Sequence, residues 1–312
     1  MPGEFSVSES GSANYQIPIA VPPGTSGMQP SLSLSYNSNS GNGVLGMGWT
    51  LGGLSVITRC PATKIQDGFI DGIDFDANDR FCIDGQRLIA VNGSYGSNGT
   101  EYRTEQDGLT KVISYGSQAS GPDYFIAQTK SGQILEYGNS TDSRIEAQGK
   151  TDVHLWAVNK ISDTVSNYLT VTYNENTTDG SYTPTTIDYT GNDDTSLTPN
   201  AKVEFEYEAR ADETTGYFAG SQVKTTQRLK HIKTYVDSAL VRDYQLIYDN
   251  LGAVNRSRLT QVQECDATEA CYSATTFDWH TDSDVPVTFS KTRSVSPYKA
   301  WKSATTGDFN GD

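Results

Sequence analysis

The chain is poor in histidine. Only His154, His231 and His280 occur among its 312 residues, and neither they nor the four cysteines fall at H-x-x-H or C-x-x-C spacing. A zinc centre needs several nitrogen or sulfur donors so spaced, and none can be named. No nucleophile elbow, histidine-based triad or zinc-protease helix occurs. Basic residues are short as well: 23 Lys and Arg stand against 38 Asp and Glu, a formal charge of −15. Nucleic acid and anionic membrane are polyanions, so neither is expected as a direct partner. No apolar run is long enough to span a bilayer. Residues 1–16 lack the basic and apolar stretches of a signal peptide, so export is expected to use none or one lying upstream. Helical periodicity is also missing. A short helix is expected in one place only, within 245–265, where Gly252 weakens it.

What is present is alternation with a period of two. In KVEFEYEA, Val203, Phe205 and Tyr207 point one way, and Lys202, Glu204, Glu206 and Glu208 the other. That pattern predicts a half-buried antiparallel strand. SLSLSYNS places Leu32, Leu34 and Tyr36 on one face, and LVRDYQLIYD gathers Leu240, Tyr244, Leu246 and Tyr248. Turn signals separate these runs. Asp84-Gly85 inside RFCIDGQRLIAV suits a type I′ hairpin turn. Lys130-Ser131-Gly132 and the stretch from Asp163 to Asn167 repeat the plan. Eighteen tyrosines suit pleated surfaces. The expected fold is all-β, with many antiparallel hairpins forming a large β-sandwich or shell-like domain. Texture divides it into a Gly/Ser-rich segment 1–58, a main hairpin body 59–282, a linker 283–304 and a terminal motif 305–312.

Several stretches carry potential chemistry. Asp74, Asp76 and Asn78 lie in an acidic loop and resemble the opening of a calcium loop. Their run lacks a glycine at the sixth place and a glutamate at the twelfth, and a loop of Asx turns explains it as well. Cys60, Cys82, Cys265 and Cys271 form two sequence-local pairs that permit two disulfides in an oxidising compartment. Glu204 and Glu206 have the spacing of the paired glutamates of ADP-ribosylating toxins, but they fall on the solvent face of a regular strand and no Ser-Thr-Ser precedes them. The glycines between Gly41 and Gly53 match no phosphate-binding pattern and read as a tight structural crossing. The last residues, TTGDFNGD, place Asp308, Asn310 and Asp312 in alternation, the way a chain begins to wrap a hard cation.

The string from Phe5 to Cys60 resembles the head of the SpvB-type amino-terminal domain. That domain is shared by virulence-plasmid B proteins, B subunits of insecticidal toxin complexes and Rhs/YD-repeat proteins. The resemblance rests on Ile17-Pro18-Ile19 followed by Pro22-Pro23-Gly24, on PSLSLSY from Pro30 to Tyr36, and on Gly46-Met47-Gly48-Trp49. It continues through DANDRFCIDGQRL, TKSGQILEYG, DSRIEAQGK and WAVNKISDTVSNYLTVTY. The ending GDFNGD resembles the first loop of an FG-GAP/VCBS propeller repeat. The resemblance implies a non-catalytic structural module of a secreted toxin-complex or polymorphic-toxin protein, found outside the cell, at its surface, or delivered into a host. Such a module contributes to a β shell enclosing a carboxy-terminal toxin. Its implied partners are downstream propeller and YD-repeat segments. No cofactor is implied within these residues, and Asp308, Asn310 and Asp312 would hold Ca²⁺ only in a longer chain. The alternative expectation is a carbohydrate-binding or adhesive surface domain, in which exposed aromatics stack on sugars.

Overall fold

A computed structural model of the chain describes residues 1–106, 108–250 and 255–279. The expected linker 283–304 and the terminal motif with Asp308, Asn310 and Asp312 lie outside the described residues.

The chain opens with β1 (Glu4–Val7), β2 (Ala13–Ile19), β3 (Leu32–Asn37), β4 (Asn42–Gly43), β5 (Gly46–Met47) and β6 (Trp49–Gly52). Strands β1, β2, β3 and β6 make a small antiparallel sheet in that order, and β4 pairs with β5 beside it. The glycines of this crossing are sterically required. Gly53 has φ +103°, and a Cβ there would lie 2.0 Å from the Ser31 carbonyl oxygen.

A closed barrel follows. Its strands are β7 (Val56–Cys60), β8 (Arg80–Ile83), β9 (Gln86–Asn92), β10 (Glu101–Thr104), β11 (Lys111–Tyr115), β12 (Tyr124–Gln128) and β13 (Ile134–Tyr137). After a short β14 (Arg144–Glu146) comes β15 (Val153–Ser162). Successive strands from β7 to β13 pair antiparallel, β13 pairs with β15, and β15 pairs with β7. Closure leaves no edge inside this ring. Phe81, Tyr102, Phe125, Tyr137 and Trp156 fill the interior. Asp84 and Gly85, both at positive φ, turn β8 into β9 as Asp-Gly predicts.

Strand β15 also founds a second layer. Its far end pairs with β16 (Asn167–Asn176), which begins a meander through β17 (Ser181–Asn192), β18 (Ala201–Phe218), β19 (Ser221–Val236), β20 (Ala239–Asp249), β21 (Arg258–Cys265) and β22 (Thr275–Thr276). Ile187, Val203, Leu229, Ile232 and Val262 of the meander share a core with Ile17, Leu34 and Trp49 of the small sheet. Val153 to Val158 are all buried because β15 serves both cores: Trp156 and Val158 face the barrel, Leu155 and Ala157 the second core.

Among the described residues of 245–265 the expected helix is not found; β20 and β21 take Gln245–Asp249 and Arg258–Cys265. The α-helix among the described residues is α1 (Lys64–Asp67), one turn capped by the Thr63 side chain and closed by left-handed Gly68. A single turn is too short to leave a periodic signal. The tyrosines act as ties between strands. The hydroxyls of Tyr173, Tyr189, Tyr207 and Tyr248 donate to the carbonyls of Val158, Pro22, Pro184 and Leu229 at 2.7–3.0 Å. A buried phenol needs such an acceptor.

Candidate functional site

The acidic loop joins β7 to β8 at one end of the barrel. Asp74, Asp76 and Asp79 bring carboxylate oxygens within 4.8 Å of one another. Asp74 and Asp76 are exposed, whereas Asp79 is buried. Asp79 accepts the backbone N–H groups of Asp74 and Phe75 at 3.1 and 3.0 Å and a 2.7 Å bond from Arg59. Three hydrogen bonds from the protein thus engage its carboxylate. Asn78 turns inward on the loop: its backbone N–H and side-chain amide both donate to Asp76, at 2.6 and 3.1 Å. The geometry is that of an Asx turn. Lost hydration, then the charges of Asp76, Asp71 and Asp79, raises the Asp74 carboxyl above its ordinary value.

Arg59 is the hub beneath this loop. Besides Asp79 it reaches the Val153 carbonyl at 2.6 Å and the Ser120 hydroxyl at 3.0 Å. Ser120 in turn donates to Asp152 at 2.5 Å. The guanidinium lies 5.3 and 5.7 Å from the ring centres of Phe75 and Trp156. Phe75 holds φ +69°, a conformation disfavoured for a bulky residue. The tip of the long β18–β19 hairpin packs there: Phe218 lies 6.0 Å from Phe75 and 5.4 Å from His154. His154 is 8% exposed, and its Nε2 has no hydrogen-bond partner. Burial, then the Arg59 charge, pushes its value down to about 4.

A second polar clasp sits on β18, where pairing with β19 is interrupted between Ala209 and Thr214. Asp212 accepts from Asn42 at 2.9 Å and from the Ser257 N–H and hydroxyl at 2.5 Å, and it pairs with Arg210 at 2.9 Å. Burial pushes its carboxyl up, but these bonds outweigh it and hold the group far below the usual range. Sequence reasoning missed both clasps. Their partners lie 20 and 45 residues apart, and no local pattern marks them.

Glu204 and Glu206 stand on the outer face of β18, paired with Lys202 at 2.8 Å and Lys233 at 2.6 Å. That is an ion-pair ladder on an open strand face. Disulfides join Cys60 to Cys82, across β7 and β8, and Cys265 to Cys271, beside β21. Two recesses open on the second core. One, of about 350 Å³, is lined by Trp49, Leu51, Leu54, Tyr173, Tyr182 and Val223. The other, of about 310 Å³, is lined by Tyr15, Tyr36, Trp49, Phe277 and Trp279 with Asp278 beside them.

Among the described residues, then, the charged clusters knit strands together, and the fold defines a shell-like all-β module. The model of the family described as Salmonella virulence plasmid 65kDa B protein, SpvB, matches residues 7–193, and the chain belongs to that family. The solved structures agree on the fold. The TcdB2-TccC3 crystal structure superposes with a TM-score of 0.70 at 17% identity, over 87% of this chain and 16% of that one. The Photorhabdus luminescens Tc holotoxin pore carrying the TccC3-D651A mutation gives 0.70 at 16% identity, over 86% of this chain and 16% of that one. The N-terminal domain of effector protein SpvB from Salmonella typhimurium strain LT2 gives 0.65 at 17% identity, over 80% of this chain and 98% of that domain. The chain therefore spans about a sixth of the toxin-complex chains it resembles. The curated proteins hold no match to the sequence.

Proposed function

We propose that the chain is a non-catalytic structural module of a secreted toxin-related protein. It contributes β surface to a shell that encloses and delivers a carboxy-terminal toxin. The observation that carries this reading is the likeness of most of the chain to one portion of the much longer TcdB2-TccC3 chain. The spending of Arg59, Asp79, Arg210 and Asp212 on strand-to-strand clasps supports it, since these groups are committed to holding the shell's own elements. Downstream propeller and YD-repeat segments are the proposed partners. Ca²⁺ is proposed to enter only through Asp308, Asn310 and Asp312 in a longer chain. Unfolding of this chain beside one extended downstream, each with Ca²⁺ and with chelator, tests the reading. Stabilisation by Ca²⁺ in the extended chain alone is expected. An equal response in both would move the proposed site to Asp74, Asp76 and Asn78.

The aromatic recess around Tyr15, Tyr36 and Trp279, with Asp278 beside it, supports the second reading, a carbohydrate-binding or adhesive surface. Glycan-array binding lost on Trp279→Ala would favour it over the shell.

A further inference from the structure

We propose that the tip of the β18–β19 hairpin is an acid-released clasp on the barrel mouth, with His154 as its trigger. The tip has little lateral support. Strand β18 pairs with β17 only over Ala201–Glu204, and β19 pairs with β20 only from His231 onward. The ladder within the hairpin is itself broken between Ala209 and Thr214, which provides a pivot. Asp212 anchors the near side of that pivot through Ser257 and Asn42. Beyond it, Thr214 to Thr225 form a separate short ladder. This outer piece is held by Phe218 against Phe75 and His154, by the Lys224 N–H on the Asp179 carbonyl at 3.0 Å, and by a 3.5 Å bond from the Gln222 N–H to Gln148.

His154 is set to break this contact. Neutral, its ring packs against Phe218 with Nε2 unpartnered. Protonated, it would be a buried cation beside Arg59, and the groups around it offer no compensation. Asp79 is bound to Arg59, and Asp152 accepts from the Ser120 hydroxyl and N–H. Lys150, with its ammonium 4.3 Å from the Phe75 ring centre, adds a further positive charge. The tip sequence Phe218-Ala219-Gly220-Ser221-Gln222 is uncharged. Lifting the tip hydrates the imidazolium without disturbing the closed ring of strands. A buried group that must charge in acid favours the state that exposes it. Release would bare Phe218 and Phe75 together at the barrel mouth.

Amide hydrogen exchange of the whole chain tests this, at about pH 7 and about pH 4.5, corrected for intrinsic rates, in the natural sequence and in His154→Leu. The expected result is a loss of protection across 214–225 on the order of tenfold or more in acid, with the barrel strands still protected and with the loss abolished in His154→Leu. Equal loss in both proteins, or loss in tip and barrel together, overturns the proposal. Should His154→Leu not fold, the His154 ring is titrated by NMR in the natural chain. A midpoint that coincides with tip release supports the clasp, and a ring that titrates without tip release overturns it.

Discussion

Arg59 and Asp79 meet at 2.7 Å with side chains 0% and 1% exposed, joining β7 to the loop that leads into β8. Removing one partner of such a pair leaves a buried charge alone, which costs about 3–5 kcal/mol. Arg59→Met is expected to destabilise the fold by that order in denaturant unfolding. The double variant Arg59→Met/Asp79→Leu is expected to lose less than the two single variants summed. A single-variant loss under about 1 kcal/mol would contradict the role given to the pair.

Two groups, buried His154 and half-buried Glu175, give stability opposite pH slopes. His154 sits at about 4 in the folded chain, below its ordinary 6.5. The unfolded chain therefore binds the extra proton between those values, and stability falls as pH drops through that window, by roughly 3 kcal/mol in full. Glu175 is raised to about 7 from 4.5, by burial first and then by the Glu146 charge, against the lowering effect of the Glu146 N–H. Here the folded chain holds the proton, so stability rises as pH falls from about 7 toward 4.5. His154→Leu is expected to flatten the acid loss, and Glu175→Gln to stabilise the chain above pH 7 while changing little below 4.5. Thermal melts across pH read both, and slopes of the reverse sign would contradict the assignment.

Much of this was legible in the sequence, and the reasons are local. Val203 and Phe205 are buried on β18 because alternation maps directly onto the two faces of a strand. Asp84-Gly85 turns as its chemistry dictates. The barrel was not legible, because closure rests on Leu135 meeting Ile161 and Trp156 meeting Ile57, pairings that no period of two encodes. The acidic loop was visible as Asp74, Asp76 and Asn78. That Asp79, buried one residue on, governs the loop depends on Arg59, which lies 20 residues upstream.

The two disulfides differ in the chain they close. Cys60–Cys82 spans 22 residues and Cys265–Cys271 spans 6. Loop-closure entropy assigns roughly 3 kcal/mol to the first and roughly 2 to the second. Paired serine variants are expected to rank in that order by denaturant midpoint. The reverse ranking would show that native contacts, rather than ring size, set their contributions.

Strand β1 lies at the open edge of the small sheet, with Phe5 and Val7 exposed by 65% and 62%. Such an edge pairs readily with other chains. Light scattering is expected to show self-association that Phe5→Glu or Val7→Lys relieves. A monodisperse monomer of the natural sequence would count against an unfinished edge.

The shell reading faces its most direct test in a full-length protein that carries this module together with a carboxy-terminal toxin segment. Limited proteolysis would follow survival of that segment with residues 1–279 present and with them deleted. The account predicts protection in the intact protein and rapid cleavage in the deletion. Equal protection in both would contradict a role for this module in enclosing the toxin.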